Sequence, residues 1–151
     1  MRFLGNIEAK IDAKGRAFLP ATFRKVLQAN GEEQLVMRKD VYQPCLVLYP
    51  ESVWNRKIDT LAAHFNDWDD QGQLLMRQFT SEAEAVVLDG NGRFLIPKRC
   101  LQMADIDQSI RFIGINDVIE IWAVEKTEQP FLSQDEFSAK LKALMTTSPT
   151  P

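Results

Sequence analysis

The chain has 151 residues, of which 45% are hydrophobic and 26% are charged. This composition is typical of a globular protein and excludes a wholly disordered chain. No apolar run approaches the 18 or more residues (about 27 Å of helix) of a membrane span, and the first residues turn polar too early for a secretory signal. Two cysteines, Cys45 and Cys100, cannot form a disulfide framework, so we expect a cytoplasmic protein.

The formal net charge of −3 argues weakly against a nucleic-acid partner, but the charges are unevenly distributed. Residues 1–26 contain six basic and two acidic side chains, a net charge of +4. Residues 102–151 contain four basic and eight acidic side chains, a net charge of −4. Chance clustering is one interpretation. The other is a basic binding edge near the N-terminus and an acidic region that faces elsewhere.

A ten-residue motif occurs twice. Residues 11–20 read Ile-Asp-Ala-Lys-Gly-Arg-Ala-Phe-Leu-Pro, and residues 88–97 read Leu-Asp-Gly-Asn-Gly-Arg-Phe-Leu-Ile-Pro, at a constant offset of 77. Each copy precedes a short helical stretch and an apolar hairpin. The predicted hairpin strands are 35–37 with 45–49, and 110–113 with 118–122. A duplicated unit of about 45–50 residues is marginal alone, so we expect the two copies to share one core.

Each motif predicts a tight turn between two strands. The aspartate can accept hydrogen bonds from the next backbone amides, and the glycine allows a positive φ. The arginine then begins the next strand, and the proline suits the first turn of a helix. These residues are Asp12, Gly15, Arg16 and Pro20 in the first copy, and Asp89, Gly92, Arg93 and Pro97 in the second. The first helix is predicted over 21–29, ended by Asn30 and Gly31.

A helical linker is predicted between the two copies, beginning near Pro50. Its apolar residues follow helical spacing and are Trp54, Ile58, Leu61 and Phe65, followed by Leu74, Leu75 and Phe79 in a second short helix. The polar run 67–72 resembles the start of a calcium loop, but Gln78 stands where a bidentate glutamate is required. Helix capping by Asp67 or Asp69 is therefore the preferred interpretation.

A further helix is predicted near the C-terminus. Residues 133–136 match a capping box. Apolar residues then follow helical spacing; they are Phe137, Leu141, Leu144 and Met145. Residues 146–151 are predicted to be disordered.

Neither catalysis nor metal binding is predicted. His64 stands alone on the linker helix, and the two cysteines have the apolar surroundings of core residues. The chain has no Cys-x-x-Cys pair, and 90–92 lack the glycines of a dinucleotide fingerprint and the lysine of a P-loop. Asp12 and Asp89 have no partner acid. We therefore expect no enzyme activity, cofactor, metal or small-molecule ligand.

A binding role suits the first copy better. Lys10, Lys14 and Arg16 flank one turn, Arg2 lies on the preceding segment, and Arg24 lies on the following helix with Lys25 beside it. Basic side chains on strands and turns can contact phosphates and base edges. For one copy alone, solvated charges on an amphipathic hairpin explain the pattern equally well.

The two motifs closely resemble those of the MraZ family, which belongs to the AbrB-like, swapped-hairpin transcription factors. Further similar segments extend the resemblance over residues 1–142, nearly the whole chain. They are Phe3-Leu-Gly-Asn, Cys45-Leu-Val-Leu-Tyr-Pro followed by Trp54, Phe112-Ile-Gly, and Ile119-Glu-Ile-Trp. A doubled Asp-x-x-x-Arg at this spacing is specific, whereas a single copy would not be.

The resemblance implies a mainly β fold with short helices (α+β), in which two AbrB-like swapped-hairpin β-barrel units form a pseudo-twofold pair. We expect the units at 5–52 and 81–124, a helical linker at 53–80, a C-terminal helix at 125–145 and a disordered tail at 146–151. It also implies a nucleoid-associated bacterial regulator of the division and cell-wall gene cluster. Such a protein binds short direct repeats of double-stranded DNA in its own operon promoter and assembles into a homo-oligomeric ring.

The resemblance also places the two Asp-x-x-x-Arg segments on the face implicated in DNA binding. The second copy has Gly90 and Asn91 where the first has Ala13 and Lys14, so we expect it to bind less strongly. The predicted DNA-binding residues are Arg16, Lys14, Lys10, Arg24 and Arg2, followed by Arg93, Lys98 and Arg99. The predicted turn-forming and orienting residues are Asp12, Gly15, Asp89 and Gly92, since a carboxylate is repelled by phosphate.

Three alternatives stay open. The chain could be an AbrB-like protein-interaction scaffold without specific DNA binding, an enzyme on a small β scaffold, or a DNA-packing protein without sequence specificity. An enzyme needs an activated nucleophile or a metal set, and the sequence offers neither.

Overall fold

The computed structural model describes residues 1–150, which form eight strands, five α-helices and one 3₁₀ turn. The elements in chain order are β1 (Asn6–Lys10), β2 (Arg16–Phe18), α1 (Ala21–Ala29), β3 (Leu35–Lys39), β4 (Leu46–Pro50), α2 (Glu51–Ala62), α3 (Asp70–Ser81), β5 (Glu84–Val86), β6 (Arg93–Leu95), α4 (Lys98–Met103), β7 (Ser109–Ile115), β8 (Val118–Ala123), the 3₁₀ turn (Val124–Thr127) and α5 (Gln134–Met145). None of the helices in the described chain is both long and apolar enough to cross a membrane.

The predicted helix over 21–29 is confirmed, as are both hairpins. The two motif prolines lie just before their helices and not within the first helical turn, where the sequence predicts them. Pro20 and Pro97 are the N-cap residues of α1 and α4, with ψ values of 140° and 146°, and not members of the first helical turn. A proline has no N–H group, and an N-cap residue with extended ψ needs none for the helix.

A six-stranded antiparallel sheet has the order β1-β7-β8-β4-β3-β5. The first strand of each motif copy pairs with the hairpin of the other copy, β1 with β7 and β5 with β3. Pairing of β4 with β8 joins the two hairpins. The chain therefore has a mixed α+β fold with an antiparallel sheet, and both repeats contribute strands to the main sheet and to the ribbon described below.

The expected β-barrel units are not closed barrels, because the main sheet is open. Its edge strands β1 and β5 stand at opposite ends of the strand order. The strands that could continue the sheet, β2 and β6, instead pair with each other in a separate two-stranded ribbon.

The larger of the two hydrophobic clusters within residues 1–150 lies among the main sheet, the inner face of this ribbon, α1 and α4. Its largest fully buried members come from both repeats and include Phe23 on α1, Met37 on β3 and Phe112 on β7. The expectation of a shared core is confirmed. Cys45 and Cys100 are both fully buried, as expected for core cysteines.

The linker helices pack against the sheet through aromatic side chains. Trp54 of α2 stacks on Phe79 of α3, with ring centroids 5.1 Å apart. The guanidinium of Arg38 lies 4.5 Å from the Phe79 ring centroid, and its Nη2 donates to Glu82 at 2.9 Å. Asp69 caps α3 by accepting from the amide of Gln71 at 3.0 Å, so the capping interpretation of this run is confirmed.

The C-terminal helix α5 has the predicted capping box between Ser133 and Glu136. It begins only at Gln134, because the segment before it contains Pro130 and the 3₁₀ turn. All of its residues are exposed. Residues 146–150 contain neither helix nor strand, and Pro151 lies outside the described residues.

Truncation of the core at the junction of the two hairpins tests this shared packing. Leu48 of β4 is fully buried and opposes Ile119 of β8. We expect Leu48→Ala to lower the free energy of unfolding by about 2–5 kcal/mol, because it leaves a cavity. Leu144→Ala on exposed α5 should change it by less than about 0.5 kcal/mol. Urea denaturation measures both, and equal effects of the two variants would contradict a core shared at this junction.

Candidate nucleic-acid interface

The first motif forms a tight turn held by one carboxylate. Asp12 Oδ1 accepts hydrogen bonds from the backbone amides of Lys14 and Arg16, both at 2.9 Å. The amide of Asp12 donates to the carbonyl of Arg16 at 2.9 Å, which closes the turn. Gly15 has a φ of +84°, a conformation that a side chain would strain. The aspartate thus satisfies the backbone amides of the turn, and the glycine allows its positive φ.

The second motif repeats this geometry. Asp89 Oδ1 accepts from the amides of Asn91 and Arg93, both at 2.9 Å, and Gly92 has a φ of +82°. The two residues between each aspartate and glycine differ between the copies. The turn is therefore built by the shared Asp, Gly and Arg positions and not by the variable ones.

Each aspartate also holds the arginine of its own motif. Arg16 Nε lies 2.9 Å from Asp12 Oδ2, and Arg93 Nε lies 2.9 Å from Asp89 Oδ2. Hydrogen bonds from backbone amides, together with the arginine, hold the pKa of both carboxyls below the usual value. The Nη groups of both arginines make no hydrogen bond within residues 1–150. Each guanidinium therefore keeps its two Nη nitrogens as donors for a planar acceptor.

The two turns lie on one ribbon. The amide of Leu19 donates to the carbonyl of Gly92 at 2.9 Å, and the amide of Ile96 donates to that of Gly15 at 2.8 Å. Ala17 opposes Phe94 at the centre of the ribbon, and both side chains are buried. Because side chains alternate along a strand, the outer side carries four residues, named here the ribbon face. They are Arg16, Phe18, Arg93 and Leu95.

Arg24 makes the second turn different from the first. Its Nε donates to the carbonyl of Leu19 at 3.0 Å, and its guanidinium lies against Gly92. A Cβ atom at Gly92 would be only 2.6 Å from Arg24 Nη1. The first repeat therefore supplies a cation to the second turn, where Asn91 replaces the lysine. Local sequence patterns miss this contact, because it joins residues far apart in the chain.

Three more of the predicted bases lie near the first turn. Lys14 is an exposed residue of that turn, and Lys10 ends β1 just before it. Lys98 opens α4, which follows the Ile96–Gly15 hydrogen bond and so begins beside the first turn.

Of the other two predicted bases, one lies elsewhere and one is engaged by a carboxylate. Arg2 is at the far end of β1, because the next residue, Phe3, donates its amide to Asn116 in the β7–β8 turn. Arg99 is occupied by an ion pair with Glu84, with Nη2 and Oε1 2.5 Å apart. This hydrogen bond raises the pKa of Arg99. The structure therefore brings together Lys10, Lys14, Arg16, Arg24, Arg93 and Lys98, whereas Arg2 lies apart from them and Arg99, next to Lys98, is engaged by Glu84.

The cysteine, histidine and acidic side chains considered for catalysis lie in surroundings that do not activate them. Burial raises the pKa of the Cys45 thiol, which disfavours the reactive thiolate. His64 is exposed just after α2. No three His, Cys, Asp or Glu side chains within residues 1–150 come together as a metal site.

The chain matches a known protein family over nearly its whole length. The family model described as "MraZ protein, putative antitoxin-like" matches residues 2–75 and 79–146. The chain belongs to the MraZ family. It is 59% identical over 145 residues to the transcriptional regulator MraZ of Bacteroides thetaiotaomicron, an alignment that covers 96% of this chain and 93% of that protein.

Other relatives also align with most of this chain. The transcriptional regulator MraZ of Phocaeicola vulgatus is 55% identical, with 98% of this chain and 96% of that protein aligned. That of Shewanella oneidensis is 34% identical, with 87% and 84% aligned. The shared name of these relatives supports a role in transcription regulation, which is not an enzyme class.

The paired carboxylates predict a dependence of stability on pH. The pKa of Asp12 and that of Asp89 are lowered by folding, so their contribution is complete above the unfolded value of about 3.9 and is lost as the pH falls through the lower folded value. We expect the Asp12→Asn/Asp89→Asn double variant to be less stable at pH 7, with a shallower loss of stability below pH 4.

Urea denaturation between about pH 2 and pH 7 measures this difference. Asp59→Asn on the exposed side of α2 is the matched control and should follow the unsubstituted protein. Parallel curves for the double variant and the unsubstituted protein would contradict the assigned ion pairs.

Proposed function

We propose that the chain is a sequence-specific DNA-binding transcriptional regulator. It binds short direct repeats in the promoter of its own operon, the bacterial division and cell-wall gene cluster, and acts as a ring-shaped homo-oligomer. One observation carries this proposal: two arginines, each held at Nε by its own aspartate, lie on one exposed two-stranded ribbon with their Nη groups unbonded within residues 1–150.

The shape of the ribbon supports binding in the major groove. That groove is about 12 Å wide and admits a two-stranded β-ribbon. Arg16 opposes Leu95, and Arg93 opposes Phe18, so the arginines occupy diagonal positions. Diagonal neighbours on a ribbon are about 7–8 Å apart, within the reach of two long side chains to neighbouring base pairs. Bidentate arginine contacts are suited to base edges and to phosphates.

The charges near the ribbon support binding despite the net charge of −3. Asp12 and Asp89 are paired with the motif arginines, while Lys10, Lys14 and Arg24 add positive charge nearby. One such patch binds weakly and loses affinity with salt. A ring offers the patch many times, so adjacent subunits can bind adjacent repeats at high effective concentration.

The exchange of first strands supports a swapped-hairpin arrangement with a pseudo-twofold relation between the repeats. Ala17 opposes its own repeat counterpart, Phe94, and β1–β7 pairing has its counterpart in β5–β3. We retain the proposed units at 5–52 and 81–124 on this basis.

Removal of one ribbon arginine tests the function. We expect Arg16→Ala to abolish the gel shift of DNA from upstream of the chain's own operon and to leave the oligomeric mass unchanged. The reason is that Arg16 is surface-placed and loses only its contact with Asp12. Arg77→Ala, at an exposed position of α3, removes the same charge away from the ribbon and should bind like the unsubstituted protein.

Binding should also weaken as salt rises and resist an excess of random-sequence DNA. Unaltered binding by Arg16→Ala, or unfolding of this variant, would refute the role given to this side chain. An oligomer that does not shift DNA even at low salt would favour the protein-interaction scaffold. Displacement by random DNA would indicate packing without sequence specificity.

A further inference from the structure

Two large apolar side chains occupy the ribbon face beside the arginines. Phe18 and Leu95 are 55% and 56% exposed, whereas Ala17 and Phe94, on the inner side of the same strands, are almost completely buried. Phe18 and Leu95 are repeat counterparts, separated by the same offset of 77 as the motif residues. Single exposed apolar residues are common on proteins. Here, however, an exposed apolar residue occurs at the equivalent position of both repeats, which distinguishes this pair from isolated exposed residues.

We propose that Phe18 and Leu95 contact the C5-methyl groups of thymines in the major groove and thereby determine part of the DNA sequence that the protein selects. The inference rests on the proposed function, because it requires the ribbon face to enter DNA. The thymine methyl is the one apolar group that unmodified bases present in the major groove, and apolar side chains recognise it.

The pairing of the strands fixes how such contacts are arranged. The two arginines occupy one diagonal of the ribbon face, and Phe18 and Leu95 occupy the other. A diagonal of about 7–8 Å corresponds to about two base-pair steps, since each step rises about 3.4 Å. The ribbon face therefore combines donors for polar base edges with apolar surface for methyl groups.

The surroundings of these side chains favour DNA over a protein partner. Arg93 lies over the Phe18 ring, with its guanidinium carbon 5.8 Å from the centroid. Arg16 opposes Leu95, and exposed Lys14 belongs to the adjoining turn. An apolar pair enclosed by cations matches a partner that presents methyl groups between phosphates.

Removal of the methyl groups from the DNA tests the inference. The promoter region upstream of the chain's own operon is amplified either with thymidine or with deoxyuridine triphosphate. Uracil lacks the C5-methyl but keeps the base-pairing edge and the phosphates. We expect the unsubstituted protein to bind the uracil duplex about fourfold more weakly for each methyl contacted, and about 15-fold more weakly for two.

Matched variants assign the effect to the two side chains. The Phe18→Ala/Leu95→Ala double variant should bind both duplexes with the same, reduced affinity. Phe18→Leu keeps an apolar side chain and should keep the preference for thymine. Leu74→Ala, which alters a side chain of 56% exposure on α3, should behave as the unsubstituted protein. Thermal unfolding of each variant establishes that the fold is retained.

Two results would overturn the methyl contacts while leaving the proposed function intact. One is equal binding of the thymine and uracil duplexes by the unsubstituted protein. The other is an undiminished thymine preference in the double variant. Absence of any complex with the thymine duplex would contradict the proposed function and the inference with it. Capture of a protein by the ribbon face, without DNA binding, would do the same.

Discussion

The two motifs are joined by hydrogen bonds, and the sheet order, the core and the ribbon all follow from this pairing. The carbonyl of Gly15 is bonded to the amide of Ile96, and the carbonyl of Gly92 to that of Leu19, so each turn is completed by the other repeat. The first strands exchange in the same way. A single repeat would leave its ribbon strand unpaired and half of its core exposed. Each repeat therefore needs a second repeat to complete its turn and its core, and each turn is positioned by residues about 77 positions away.

Within this frame, one carboxylate in each turn has two tasks. Asp12 and Asp89 satisfy backbone amides that would otherwise be unpaired, and their second oxygens fix the neighbouring arginines. A flexible arginine loses side-chain entropy when it binds a ligand, and prior fixation at Nε reduces that loss. The same contacts therefore stabilise the turn and preorganise the arginine for binding.

Local features of the fold follow from the sequence because local interactions determine them. The two turns, the helix at 21–29, the capping boundaries and the hairpins depend on Asp, Gly, Pro and apolar spacing within a few residues. The open sheet and the separate ribbon depend on pairing between distant strands, which no local pattern specifies. The Arg24–Gly92 contact and the Arg99–Glu84 ion pair are likewise long-range, so a list of basic residues cannot tell an available cation from an occupied one.

The contact of Arg24 with Gly92 has a further consequence, for orientation. A ribbon whose halves were interchangeable would bind a DNA segment equally well after a half-turn, as inverted sites allow. At the position equivalent to Arg24 the second repeat has Leu101, so only one end of the ribbon carries this extra guanidinium. The two ends of the ribbon therefore differ in positive charge. Under the proposed function, this asymmetry would give each subunit one orientation on DNA, as repeats written in a single direction require.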